Sequence, residues 1–207
     1  MSDRIEVTGF GSADEVPDVL AAAVSAEASS GSVAAALATA DTAFRAMAAA
    51  AREGGTADRD IRTTGLTVHP NHDHQGRQSG YVARMPMSLV LRDLRTAGDV
   101  LSAVIEAGGD HSRVQGAAIG MDDPLPAQVL AREKAFAHAR AQAEQLASLA
   151  GRTLGAVVRV TDGITPAQPG GWEQQGGGAM RASLKAVSFE PGTSTVTATV
   201  RVRFALD

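Results

Sequence analysis

A mixed fold of strands and helices is what this sequence predicts, on three observations. Apolar and polar residues alternate over residues 4–11, 80–92 and 193–206, the period of half-buried strands. After Ser29-Ser30-Gly31-Ser32, and again after Asp122-Asp123-Pro124, apolar residues recur every three or four positions, the period of helices lying on a core. Gly54-Gly55, Gly108-Gly109 and Gly151 stand where the helical runs stop, as left-handed C-caps require.

Taken in order, residues 4–11 set Ile5, Val7 and Gly9 against Arg4, Glu6 and Thr8 and predict the first strand. Residues 17–29 are ambiguous, because the Ala-rich run has helical propensity while Leu20, Ala22, Val24 and Ala26 also alternate. The first helix follows, with Val33, Leu37, Phe44, Met47 and Ala51 as its inward stripe. Residues 61–70 return to alternation, with Leu66 and Val68 opposed to Thr67 and His69. In residues 80–92, Tyr81, Ala83, Met85, Met87, Leu89 and Leu91 share a face. Pro86 lies inside that run, and a residue without an N–H predicts an edge strand or a bulge there.

Asp93 caps a short helix carrying Leu94, Ala97, Leu101, Val104 and Ile105. Residues 113–121 form a further strand. The longest helix opens at Pro124, its expected buried stripe Leu125, Val129, Phe136, Ala139, Ala143, Leu146 and Ala150, with Arg132, Arg140 and Glu144 outward. Residues 154–161 are a strand. Residues 163–192 are too rich in Gly, Pro and Gln to fold alone and predict a flexible loop or an arm that docks elsewhere and takes part in assembly, in which Trp172 stands as a partner-contact candidate. The final strand alternates Val196, Ala198, Val200, Val202, Phe204 and Leu206 with Thr195, Thr197, Thr199, Arg201 and Arg203, and its regularity suits pairing across subunits.

Composition narrows the function. The 207 residues are 44% hydrophobic but only 3% aromatic, so the core has to be built from Val, Leu, Ile and close-packed Ala. A formal charge of −4 argues against nonspecific nucleic-acid binding, which draws on clustered Lys and Arg. With no cysteine there is no disulfide, thiolate zinc site or Cys nucleophile. The N-terminal residues lack secretion-signal features and no window is apolar enough for a membrane span, so the chain as written reads as soluble and cytoplasmic.

One stretch carries candidate chemistry. His69-Pro70-Asn71-His72-Asp73-His74 has the spacing for a three-ligand site, with His69, His72 and His74 as metal candidates for zinc, nickel or copper. The same residue types are also those of a polar hairpin tip. Gly9-Phe10-Gly11 lacks the third glycine and the following helix of a dinucleotide fingerprint, and its glycines read as relief for a strand bend. His111 and His138 are isolated, and no serine sits in a nucleophile elbow.

The stretches IEVTGFGSADEVPDV, DIRTTGLTVHP, GYVARMPMSLVLRDL, AREKAFAHARAQAEQLASLAGRTLGAVVRV and PGTSTVTATVRVRFAL together resemble the SIMPL-domain family. Its founding animal member associates with a Pelle-like kinase, and its bacterial members include periplasmic immunogenic proteins. The resemblance turns residues 17–29 into a strand and implies an α+β fold, mostly antiparallel sheets packed against three helices in the order β-β-α-β-β-α-β-α-β-β. It implies one domain over residues 1–207 and higher oligomers, with no catalytic residues and no cofactor. The expectation is a non-enzymatic, self-assembling or protein-binding chain in a stress-related role, with an unidentified protein partner. The alternative is a metal-binding protein or metal-dependent hydrolase using the His69–His74 loop. Two departures stand out: the secretion signal common among bacterial relatives is not seen, and Pro86 replaces a residue that could pair.

Overall fold

A computed structural model describes residues 3–164 and 192–207. Among these residues the chain forms an α+β fold of three α-helices and eight strands, every strand pairing antiparallel, and it divides into two compact units. One unit comprises residues 18–120, and the other is built from the segments that flank it in sequence. Trp172 and positions 165–191 of the expected loop lie outside the described residues.

The unit of residues 18–120 holds β2 (Val19–Ser30), α1 (Val33–Glu53), β3 (Ile61–Thr63), β4 (Thr67–His72), β5 (Gln78–Leu91), α2 (Leu94–Gly108) and β6 (Ser112–Gly120). Its sheet runs β3-β5-β2-β6, with β4 also on β5. Residues 19–30 do form a strand, because pairing on both sides overrides alanine's helical propensity. Leu20, Ala22, Val24 and Ala26 pack with Met87, Leu89 and Leu91 against Met47, Leu101 and Val104 of the two helices. The Ser32 hydroxyl accepts the Ala35 N–H at 3.2 Å and Asp93 accepts the Arg95 N–H at 3.1 Å, so both expected caps form. In α1 the buried stripe is more alanine than expected: Ala36, Ala40, Ala43, Met47, Ala48 and Ala51 are inside and Val33 is exposed.

Pro86 corrects an expectation. β5 is interior, between β2 and the β3/β4 pair, and it carries no bulge at Pro86 on the β2 side, where Pro86 faces Ser25. The missing donor is accommodated on the other side. The Pro86 carbonyl accepts the Thr64 N–H at 3.0 Å, so its nitrogen points toward the same neighbour, where β3 has ended at Thr63 and β4 has not begun. The single strand expected over residues 61–70 is therefore split opposite the proline, and Leu66, in the gap, is exposed.

The second unit contains β1 (Arg4–Glu15), α3 (Leu125–Leu149), β7 (Leu154–Ile164) and β8 (Ser194–Leu206), in the sheet order β1-β8-β7 with α3 on one face. β8 is the central strand, its edges filled by β1 and β7, so it is not the strand free to pair across subunits. The expected stripe of α3 holds at Ala139 and Ala143 and is otherwise corrected. The helix buries Ala127, Ala131, Ala135, Ala139, Ala143 and Ala147, while Leu125, Val129, Leu146 and Ala150 are exposed and Phe136 is half-buried.

Gly9 and Gly11 give the physical reason. A Cβ at Gly9 would lie 2.0 Å from the Ala135 carbonyl oxygen and 2.6 Å from the Ala139 nitrogen. At Gly11 it would lie 2.2 Å from the Ala131 oxygen and 2.4 Å from the Ala135 nitrogen. The helix backbone rests directly on the strand, which leaves room for alanine and nothing larger. The glycines thus permit close backbone approach and do not serve a strand bend.

Because the obstructing atoms are backbone, they cannot rotate away. Gly11→Ala should lower stability by about 2–3 kcal/mol in urea unfolding, the cost of overpacking a tight contact. Gly31→Ala, where nothing lies within 4 Å, should stay within about 0.5 kcal/mol of the parent.

Candidate functional site

His69 and His72 fall on β4, opposite Val82 and Gln78 of β5, and His74 lies in the turn between the strands. All three are exposed. Asp73, the nearest carboxylate, is spent on the turn. Its Oδ1 accepts the N–H groups of Gln75 and Arg77, each at 2.9 Å, and Oδ2 lies 3.4 Å from Arg77 Nε. Gly76, with φ +76°, completes the reversal. Among the described residues no three His, Cys, Asp or Glu side chains are grouped as a metal would need.

The other two histidines have structural partners. His138 Nδ1, on α3, accepts the Phe10 N–H at 3.1 Å, and His111 Nδ1 lies 3.2 Å from the Glu27 carbonyl. Lys134 Nζ donates to the Ser12 carbonyl at 2.8 Å. Side chains of α3 thereby close part of the outer edge of β1, one way a sheet edge is kept from pairing with another chain.

The opposite edge is treated differently. Among the described residues no side chain hydrogen-bonds to the backbone of β7, whose Val157, Val158 and Val160 are 46%, 46% and 49% exposed. Val157 and Val160 pair with Phe204 and Val202, on the face that α3 covers over β8. Arg132 of α3 reaches this side and lies 3.2 Å from Asp162. The outward Leu125, Val129, Leu130, Leu146 and Leu149 add further apolar surface on the helix. Among the described residues nothing pairs with the outer edge of β7, a row of N–H and C=O groups bordered by valines.

A buried ion pair was not evident from the sequence. Asp60 is 7% exposed and sits in a 3-10 turn (Asp58–Asp60). It accepts two hydrogen bonds from Arg92, from Nε at 2.8 Å and Nη2 at 2.9 Å, tying the segment after α1 to the end of β5. Beside it is a cavity of about 190 Å³ whose lining includes Thr56, Asp60, Arg92 and Asp93. The Arg92 hydrogen bonds hold the Asp60 carboxyl below the usual carboxylate range, against the opposing effect of its burial. Asp93 is likewise held low, first by its hydrogen bonds from Arg95. Residues 60 and 92 are 32 positions apart, so no local pattern marks them as partners.

With these features in place, the class of protein is defined: an antiparallel α+β fold with an alanine-faced helix on a glycine-bearing strand. Residues 5–204 match the family described as SIMPL, protein of unknown function (DUF541), and the chain belongs to that family. It is 27% identical over 176 residues to the 26 kDa periplasmic immunogenic protein of Brucella melitensis biotype 1, covering 80% of this chain and 69% of that one. It is also 27% identical over 169 residues to the uncharacterized protein YggE of Escherichia coli K12, covering 80% and 68%. Among the described residues no helix is long and apolar enough to cross a membrane.

The Asp60–Arg92 pair has a testable pH signature. A folded pKa below the unfolded one means that its stabilisation is complete above the ordinary Asp value near 4 and is lost as pH falls through the depressed folded value. Asp60→Asn should therefore flatten the dependence of unfolding free energy on pH below about 4. It should also cost about 1–3 kcal/mol at pH 7 by leaving Arg92 without its carboxylate. Chemical denaturation at several pH values checks both.

Proposed function

We propose that this chain is a non-enzymatic assembly module that self-associates through the outer edge of β7 and binds protein partners through the same apolar surface. The observation that carries the reading is the contrast between the two edges of one sheet: among the described residues, α3 side chains close part of β1, while nothing pairs with the outer edge of β7 beside its exposed valines. An edge strand with apolar flanks is a ready template for strand addition. The stress-related role implied by the family likeness, and an unidentified protein partner, belong to the same reading. On compartment, a Brucella relative is named as periplasmic, and the same location is proposed for this chain against the cytoplasmic alternative. Fractionation of cells making the protein decides between them.

Light scattering on the full chain should give a mass above the 21.2 kDa of one copy. Val157→Lys combined with Val160→Lys should shift it toward the monomer with the circular dichroism spectrum retained. A parent chain that is monomeric at about 100 μM, a concentration at which a micromolar dimer would form, overturns the assembly reading.

The competing reading is a metal site on His69, His72 and His74. The engagement of Asp73 by its own turn weighs against it, because such a site would lack the carboxylate that usually orients ligand imidazoles. Calorimetry on untagged protein should show no zinc binding at micromolar concentration. Micromolar binding abolished by His72→Ala with His74→Ala would instead establish the metal reading.

A further inference from the structure

The face of the β1-β8-β7 sheet opposite α3 gathers positive charge. Arg201 and Arg203 project there from β8, and Arg159 of β7 is paired directly opposite Arg203. Two like charges facing each other across a ladder destabilise it unless something compensates. Glu6 is the carboxylate of this group, and it faces Arg203 from the other neighbouring strand. Arg203 takes most of it, with Nε at 2.8 Å and Nη2 at 2.5 Å from the same oxygen, Oε2. The other oxygen, Oε1, is 4.0 Å from Arg201 Nε. Among the described residues Arg159 has no acidic partner within ion-pair distance.

The position of Arg159 is no accident of alternation. Val157 is paired with Phe204 on the α3 side, and strict alternation would set Arg159 opposite Val202, on that same side. A register shift between Val157 and Arg159 inserts one residue and turns Arg159 to the other face, opposite Arg203. Bulges re-aim side chains in this way and concentrate beside functional sites. The result is a cavity of about 220 Å³ lined by Glu6, Arg159, Thr161, Arg201 and Arg203. It presents three guanidinium groups, one hydroxyl and a single carboxylate that is already engaged.

We propose that this cavity binds a phosphate-type oxyanion between Arg159, Arg201 and Arg203, with Glu6 competing with the anion for the Arg203 donors. Guanidinium forks match the oxygens of phosphate, and the anion supplies the negative charge that the facing arginines lack. Thr161 adds a hydroxyl donor from β7. The site lies on the sheet face away from α3 and requires no self-association.

The test is calorimetry of the full chain with inorganic phosphate in a phosphate-free, low-salt buffer. In parallel, co-sedimentation uses phosphatidylcholine vesicles with and without phosphatidic acid. The expected result is saturable binding that weakens by roughly tenfold in Arg159→Gln and in Arg201→Gln and is unchanged in Arg45→Gln, an arginine outside this sheet. Glu6→Gln should tighten binding, because it removes the competing carboxylate, an effect that loss of a structural contact would not produce. Binding of free phosphate identifies a soluble anion; binding only to phosphatidic acid vesicles identifies a lipid headgroup. Absence of both, or binding unaltered in the two arginine variants while their circular dichroism is unchanged, overturns the proposal.

Discussion

The contact of the α3 backbone with Gly9 and Gly11 is the constraint on which the rest of the second unit depends. A helix normally stands off a sheet by the thickness of two side-chain layers. Here one of those layers is missing, and a Cβ on β1 would collide with carbonyl oxygens and amide nitrogens of α3. Only alanine fits the facing side of the helix, and six alanines four residues apart supply it. The stripe holds α3 against Val7, Val196, Val200, Val202 and Phe204 with little aromatic surface, consistent with a chain that is 3% aromatic. Dense packing of small groups makes up in contact what it lacks in area per residue.

The outward face follows from the inward one. A helix that buries only alanine has to leave its leucines and valines elsewhere, and Leu125, Val129, Leu130, Leu146 and Leu149 are left on the surface. Single exposed apolar residues need no explanation, but this set shares a unit with the edge of β7 that is unpaired among the described residues, and with its exposed valines. The same sheet has one face given over to the alanine helix and the other to a cluster of arginines. Packing and surface chemistry are thus set by the two sides of the same three strands.

Much of the fold was legible, and the failures are instructive. The strands at residues 4–11, 80–92 and 193–206 showed themselves by alternation, and the helix starts at Ser32 and Asp93 by their capping side chains. Residues 19–30 could not be settled from their own pattern, because alanine suits a helix and a doubly paired strand alike; the family resemblance decided correctly. The stripe of α3 was misread because larger apolar residues were assigned inward, although the glycines that forbid them lie some 120 positions earlier. Pro86 was read as an edge signal when the neighbouring strand had yielded instead. At the candidate sites, the histidines were visible and the important pairings were not. Asp60 with Arg92, and Arg159 with Arg203, depend on tertiary pairing and on a bulge that leave no local trace.

Native-state hydrogen exchange tests the central claim most directly. If the glycine–alanine contact locks α3 onto the sheet, the amides of residues 131–139 should exchange together with those of residues 198–204 of β8. They should do so in a single opening near the global unfolding free energy. Gly11→Ala should lower the protection of both segments by the same factor. Exchange of the α3 amides through a separate, lower-energy opening, with β8 still protected, would contradict the account.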